Sequence, residues 1–131
     1  MRILLVDDNM DMLNALSDLL KLRNDYEVYA CSSAAAAFKY LEYLEVDLII
    51  TDLIMPGMNG ADFVNKVRSQ FASPPEFLMV TGSLVEDVLD QLHVDAPLLQ
   101  KPFGSRELFR RVDLIRDGQH RMPPREVSQA G

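Results

Sequence analysis

Asp7 and Asp8 follow the apolar run Ile3 to Val6, and Asp52 follows Leu48 to Ile50 and Thr51. Two further runs, Phe77 to Val80 and Leu98 with Leu99, lead into Thr81 and into Gln100 and Lys101. If the four runs are parallel strands of one open sheet, their carboxyl ends share an edge, which is where such sheets bind ligands. Three carboxylates, a hydroxyl and an ammonium then meet in one crevice. Close carboxylates there repel by roughly 4 kcal/mol per pair at an effective dielectric of about 20. A divalent cation relieves this, and Mg²⁺ is usually held by one or two carboxylates, waters and a substrate phosphate. Thr81 and Lys101 supply a hydroxyl and a point charge for phosphate oxygens. Lys101 precedes Pro102, and X-Pro bonds are the main place a cis peptide occurs, so a rigid turn at Lys101–Pro102 would aim the ammonium inward. Taken singly, each residue also fits an ordinary solvated strand end; together they specify phosphoryl chemistry beside a metal.

The intervening segments have helical period, the pattern of repeated βα units and a parallel sheet. Leu13, Leu16 and Leu20 recur at helical spacing and predict a helix from about Met10 to Leu22, broken by Asn24 and Asp25. Val28 to Cys31 reads as a second strand. The helix after it opens at Ser32 or Ser33 and carries four alanines, then Phe38, Leu41 and Leu44. Asp47 to Thr51 is a third strand, apolar without alternation, as in a strand covered on both faces at the centre of a sheet. After the Pro56, Gly57, Asn59 and Gly60 turn cluster, Ala61 to Phe71 is a helix with Phe63, Val64 and Val67 inward. Ser73, Pro74 and Pro75 end it. Ser83 and Glu86 form a capping box for a helix ending near Leu92. Pro97 opens the fifth strand, where its missing donor is tolerated. A last helix spans Ser105 to Arg116, with Leu108, Phe109, Val112 and Ile115 facing the sheet.

A chain of 131 residues suits one domain with a real core. Residues 1–117 form that domain; residues 118–131 turn polar, carry Pro123 and Pro124, and read as a disordered tail or linker. The net charge of −7 argues against direct nucleic-acid binding by this segment. No apolar run reaches the roughly 20 residues of a membrane span or resembles a secretory signal. These features and the single cysteine, read as buried and inert, suggest a cytoplasmic protein. His93 and His120 read as surface residues.

The acidic pair Asp7 and Asp8, the segment Asp52, Met55, Pro56, Gly57, Met58, Asn59 and Gly60, then Thr81 with Gly82, and Lys101, Pro102 and Phe103 together resemble the receiver domain of response regulators. These are the phosphoacceptors of bacterial two-component (phosphorelay) signalling. The resemblance covers about Met1 to Asp117. It implies a three-layer α/β fold of the flavodoxin-like (βα)5 kind, an open parallel five-stranded sheet in the order 2-1-3-4-5. It implies Asp52 as phosphoacceptor, served by a histidine kinase or phosphotransfer protein. Asp8 and Asp52 would ligate Mg²⁺ (or Mn²⁺), Asp7 mainly through water, and the Ile54 backbone carbonyl would complete the set. Thr81 and Lys101 would bind the phosphoryl group and start the switch. Such a protein is a signalling phosphoacceptor with slow self-dephosphorylation rather than an enzyme.

The chain departs from the family pattern in two respects. Leu98 stands where an aromatic switch residue is usual, and it offers no ring or polar edge. Ile54 and Ser83 stand where the path of hydrolytic water is tuned; apolar Ile54 cannot orient that water, which predicts slow dephosphorylation. Output to a downstream protein or output domain, or a homodimer contact, would use the helix after Ser83, the fifth strand and the last helix. Leu84, Val85, Val88 and Leu89 exceed one inward stripe there, although ordinary core packing also accounts for them. A haloacid-type phosphatase would need a second aspartate at the Ile54 position. A phosphorylation-independent receiver-like interaction module is the remaining alternative.

Overall fold

Apolar runs of three to six residues become strands, and between the first four of them a segment of helical period returns the chain to the start of the next. The computed structural model describes residues 1–55, 57–82 and 95–118. Its elements are β1 (Arg2–Val6), α1 (Met10–Leu20), β2 (Glu27–Cys31), α2 (Ala34–Tyr43), β3 (Leu48–Asp52), α3 (Gly60–Gln70), β4 (Glu76–Thr81), β5 (Leu98–Gln100) and α4 (Ser105–Arg116). All strand pairs are parallel, in the order β2-β1-β3-β4-β5. The expected open five-stranded α/β architecture is therefore present. The helix expected from Ser83 to Leu92, with Leu84, Val85, Glu86, Val88 and Leu89, lies outside the described residues, as do Pro56, His93 and residues 119–131.

Strand β3 is central, and its continuous apolar run is explained by two covered faces. Leu48 and Ile50 pack with Leu13, Leu16, Leu108 and Val112 from α1 and α4. Ile49 packs with Ala37, Leu41, Phe63 and Val67 from α2 and α3. Ile3 and Leu5 of β1 face the first layer, Leu4 and Val6 the second. Burying each such side chain stabilises the fold by about 1.5–3 kcal/mol before the cost of ordering it.

Three helices start on a side-chain cap: Asn9, Ser33 and Asn59 accept the N–H of Met12, Ala36 and Asp62 at 3.1, 3.1 and 2.8 Å. Helix α1 ends two residues before the expected boundary. Leu20 is the last member of its inward stripe, and Leu22, two residues and about 200° further round, is 74% exposed. Phe109 is half-buried and packs against the core as expected, and it also lies under the Arg23 guanidinium, 5.3 Å from its ring centroid. Leu44, expected within the second helix, is its extended C-cap.

Candidate functional site

Strand register assembles the polar edge. Val6 pairs with both Cys31 and Thr51, Asp52 with Val80, and Thr81 with Gln100, so Asp7, Asp52, Thr81 and Lys101 stand at or just past adjacent strand ends. Oxygen atoms of Asp7, Asp8 and Asp52 all lie within 4.8 Å of one another. Asp7 is buried, Asp52 half-buried and Asp8 exposed. Lys101 reaches between them, its Nζ 3.5 Å from Asp52 Oδ2 and 3.7 Å from Asp7 Oδ2. The Lys101–Pro102 bond is cis.

Each carboxylate is steered by backbone. The Asn9 N–H donates to Asp7 Oδ1 at 2.9 Å, and the Ile54 N–H donates to Asp52 Oδ1 at 3.0 Å. Burial pushes the Asp7 carboxyl above its ordinary value; the Asn9 N–H opposes this, repulsion from Asp52 adds to it, Lys101 opposes and Asp8 adds. Lys101 thus offsets only part of what raises Asp7. Three carboxylates form a hard oxygen donor set of the kind that suits Mg²⁺ or a similar divalent cation.

Thr81 is fully buried, and its carbonyl accepts the Lys101 N–H at 2.8 Å, which ties the lysine backbone to β4. Leu98 is half-buried and packs against the core beside α2 and α3, in register with Met79. The Ile54 side chain is 53% exposed. Ser83 lies outside the described residues. Cys31 is buried, and burial pushes its thiol up to about 11, which leaves it protonated near neutrality.

Two features of the edge were not anticipated. Asn9 was legible as an N-cap, a polar residue just before the first apolar period, but its backbone link to Asp7 depends on the turn geometry. Gly60 was legible only as part of a turn cluster; it packs on the Asp52 carbonyl (below).

A family model described as the response regulator receiver domain matches residues 3–113. Among curated proteins, the chain is 32% identical over 131 residues to the transcriptional regulatory protein CpxR of Klebsiella pneumoniae, covering 99% of this chain and 55% of that protein. It is 34% identical over 115 residues to the response regulator protein FleR of Pseudomonas aeruginosa, covering 87% of this chain and 24% of that one. The chain therefore spans about half of the first relative's length and about a quarter of the second's. The crystal structure of a signal receiver domain of an HD domain-containing protein from Pseudomonas fluorescens superposes with a TM-score of 0.78 at 26% identity, covering 91% of this chain and 88% of that one.

Proposed function

Because the chain belongs to the response regulator receiver domain family, we propose that Asp52 is its phosphoacceptor, taking a phosphoryl group from a histidine kinase or phosphotransfer protein. The observation that carries this reading is Lys101 set between Asp52 and Asp7, with three carboxylates within 4.8 Å. In the transfer, an Asp52 oxygen forms the new O–P bond as the P–N bond to the donor imidazole breaks. The leaving nitrogen keeps the bonding pair and takes a proton. Ile54 N–H and Lys101 Nζ fix the nucleophile from two sides, and a carboxylate's two oxygens keep lone pairs for phosphorus. Asp8, Asp52 and the Ile54 carbonyl would hold Mg²⁺ or Mn²⁺, with Asp7 acting mainly through water. When bound, the cation neutralises the carboxylates and the incoming phosphoryl oxygens. Transfer of this kind rests on positioning and charge neutralisation.

Thr81 and Lys101 are the proposed readers of the new charge. Reversing a two-state population from 1:99 to 99:1 takes about 5.5 kcal/mol, more than one hydrogen bond supplies, so both must contribute. Leu98, on the same sheet face as Met79, stands at the switch position without an aromatic ring. Receiver residues 1–117 would pass it to a partner protein, a second copy or an output domain beyond the 118–131 linker, through β5, α4 and the segment between Ser83 and Leu92. Ile54 and Ser83 make self-dephosphorylation slow; a half-life of seconds in Mg²⁺ would overturn this.

Acetyl phosphate with Mg²⁺ tests the proposal. Intact mass should show one added phosphoryl group on the wild type and none on Asp52→Asn. An unlabelled wild type would favour the phosphorylation-independent interaction module.

A further inference from the structure

The turn carrying Asp52 is touched from behind by the first residue of α3. Gly60 is buried, and its N–H donates to the Leu53 carbonyl at 2.6 Å. A Cβ built on Gly60 would lie 2.7 Å from the Asp52 carbonyl oxygen, 2.8 Å from Leu53 Cα and 2.8 Å from Met79 Cε. Real Cβ atoms essentially never approach under 3.0 Å. The Met79 methyl is the far end of a flexible side chain and can yield. The other two contacts are backbone atoms of the Asp52 turn itself, and they can yield only by moving that turn. Positive φ is confined to Gly57 and Gly118 among the described glycines, so position 60 demands space rather than left-handed backbone.

We infer that Gly60 is a positioning residue for Asp52: its missing side chain lets α3 seat directly on the Asp52 carbonyl and so sets where the carboxylate points. The inference rests on the phosphoacceptor reading. The Asp52 carboxylate is fixed within the same turn by the Ile54 N–H at 3.0 Å. Displacing the Asp52–Leu53 backbone therefore moves the carboxylate relative to Lys101 and Asp7. Val67, elsewhere on α3, is fully buried in the core cluster that also holds Leu53, and truncating it crowds no atom of the turn.

The test compares Gly60→Ala with Val67→Ala, which loosens the same helix without crowding Asp52, and with Gly104→Ala, where a Cβ meets nothing within 4 Å. The full chain is labelled with acetyl phosphate at saturating Mg²⁺, at a temperature where circular dichroism shows each variant folded. Gly60→Ala should label about tenfold or more slowly, since a misplacement near 1 Å can cost about 10²-fold. Val67→Ala should melt earlier but label at the wild-type rate, as should Gly104→Ala. A folded Gly60→Ala that labels like the wild type overturns the inference while leaving Asp52 as acceptor; an unlabelled wild type overturns the underlying reading instead. If Gly60→Ala does not fold, amide resonances of the wild type decide. On Mg²⁺ titration the Gly60 amide should shift with the same midpoint as that of Asp52 while Gly104 stays still, and an unmoved Gly60 amide overturns the inference.

Discussion

At the carboxyl edge of the sheet, Asp7, Asp8 and Asp52 face a single described ammonium, Lys101, at 3.5 and 3.7 Å. At the opposite edge, Asp25, Asp113 and Asp117 are met by Arg23, Arg116 and the Tyr26 hydroxyl. Arg23 and Tyr26 donate to Asp113 at 3.1 and 2.9 Å, and Arg116 reaches Asp25 at 3.2 Å. The carboxyls respond in opposite directions. Asp7 is pushed above its ordinary value by burial first and repulsion second. Burial would raise Asp113 too, but hydrogen bonds from Tyr26 and Arg23, with the charges of Arg23 and Arg116, hold it below. The bracing edge sets two arginines and a hydroxyl among its three carboxylates. The other sets one described ammonium among three, and that imbalance is a standing attraction for a cation and for whatever brings one.

The largest effect that tests this contrast is chemical. Lys101→Met should slow labelling by acetyl phosphate about 10²-fold, the usual consequence of deleting one preorganised charge at a reacting centre. Removing the ammonium that faces Asp7 and Asp52 should also lower the melting temperature at neutral pH without Mg²⁺, and Mg²⁺ should recover most of that loss. A Lys101→Met protein that labels normally would break the proposed division between a reactive edge and a bracing one.

The bracing edge predicts the reverse profile. Asp113→Ala strands the Tyr26 hydroxyl and the Arg23 guanidinium, and because the pair is about one-third exposed the loss should be only about 1–2 kcal/mol, or roughly 4–8 °C. Labelling should be unchanged. A labelling defect with intact stability would show that this edge communicates with Asp52.

These two edges were not equally legible before the structure. The apolar runs and their polar ends marked Asp7, Asp8, Asp52, Thr81 and Lys101, because a strand-end position is a local pattern and parallel topology does the gathering. The brace joins residues 87 to 91 apart in sequence, Tyr26 to Asp113 and Asp25 to Arg116. No period announces such a pairing, and its arginines read as ordinary surface charge. The end of α1 was misplaced for a related reason: Leu22 falls past the inward stripe that Leu20 closes, whereas Phe109 packs against the core as expected and also serves as a platform for Arg23. Gly60 was visible as a turn residue, yet the demand that it stay bare comes from the Asp52 carbonyl, eight positions earlier and brought close only by the bend.

A smaller effect comes from pH. Asp7 has a folded value above its unfolded one, so its contribution to stability is complete below the unfolded carboxylate range and is lost as pH rises through the folded value. Asp113 is depressed, so its contribution is present above the unfolded value and is lost as pH falls through the folded one. In metal-free buffer near neutrality, Asp7→Asn should therefore melt a few degrees above the wild type and Asp113→Ala below it. Both differences should shrink in acid. Same-signed differences at neutral pH would remove the electrostatic contrast.

The finest distinction concerns Tyr26, pushed up from 10.0 to about 12, by burial first and then by its bond to Asp113 and the charge behind it. Of the four tyrosines, the one ionising last in a near-ultraviolet titration should disappear in Tyr26→Phe. Its folded value lies above the unfolded one, so the stability it contributes is complete below about pH 10 and is lost as pH rises through about 12. Tyr26→Phe should cost about 0.5–1.5 kcal/mol at neutral pH, the worth of one ordinary hydrogen bond. In Asp113→Ala the late titration should move down only part of the way, because the burial that contributes most remains when the carboxylate is gone. A return to the ordinary tyrosine value would mean that Asp113 also holds the α1–β2 connection closed over the ring. The brace would then be organising packing at this edge, whereas the charges at the other edge act on one another directly.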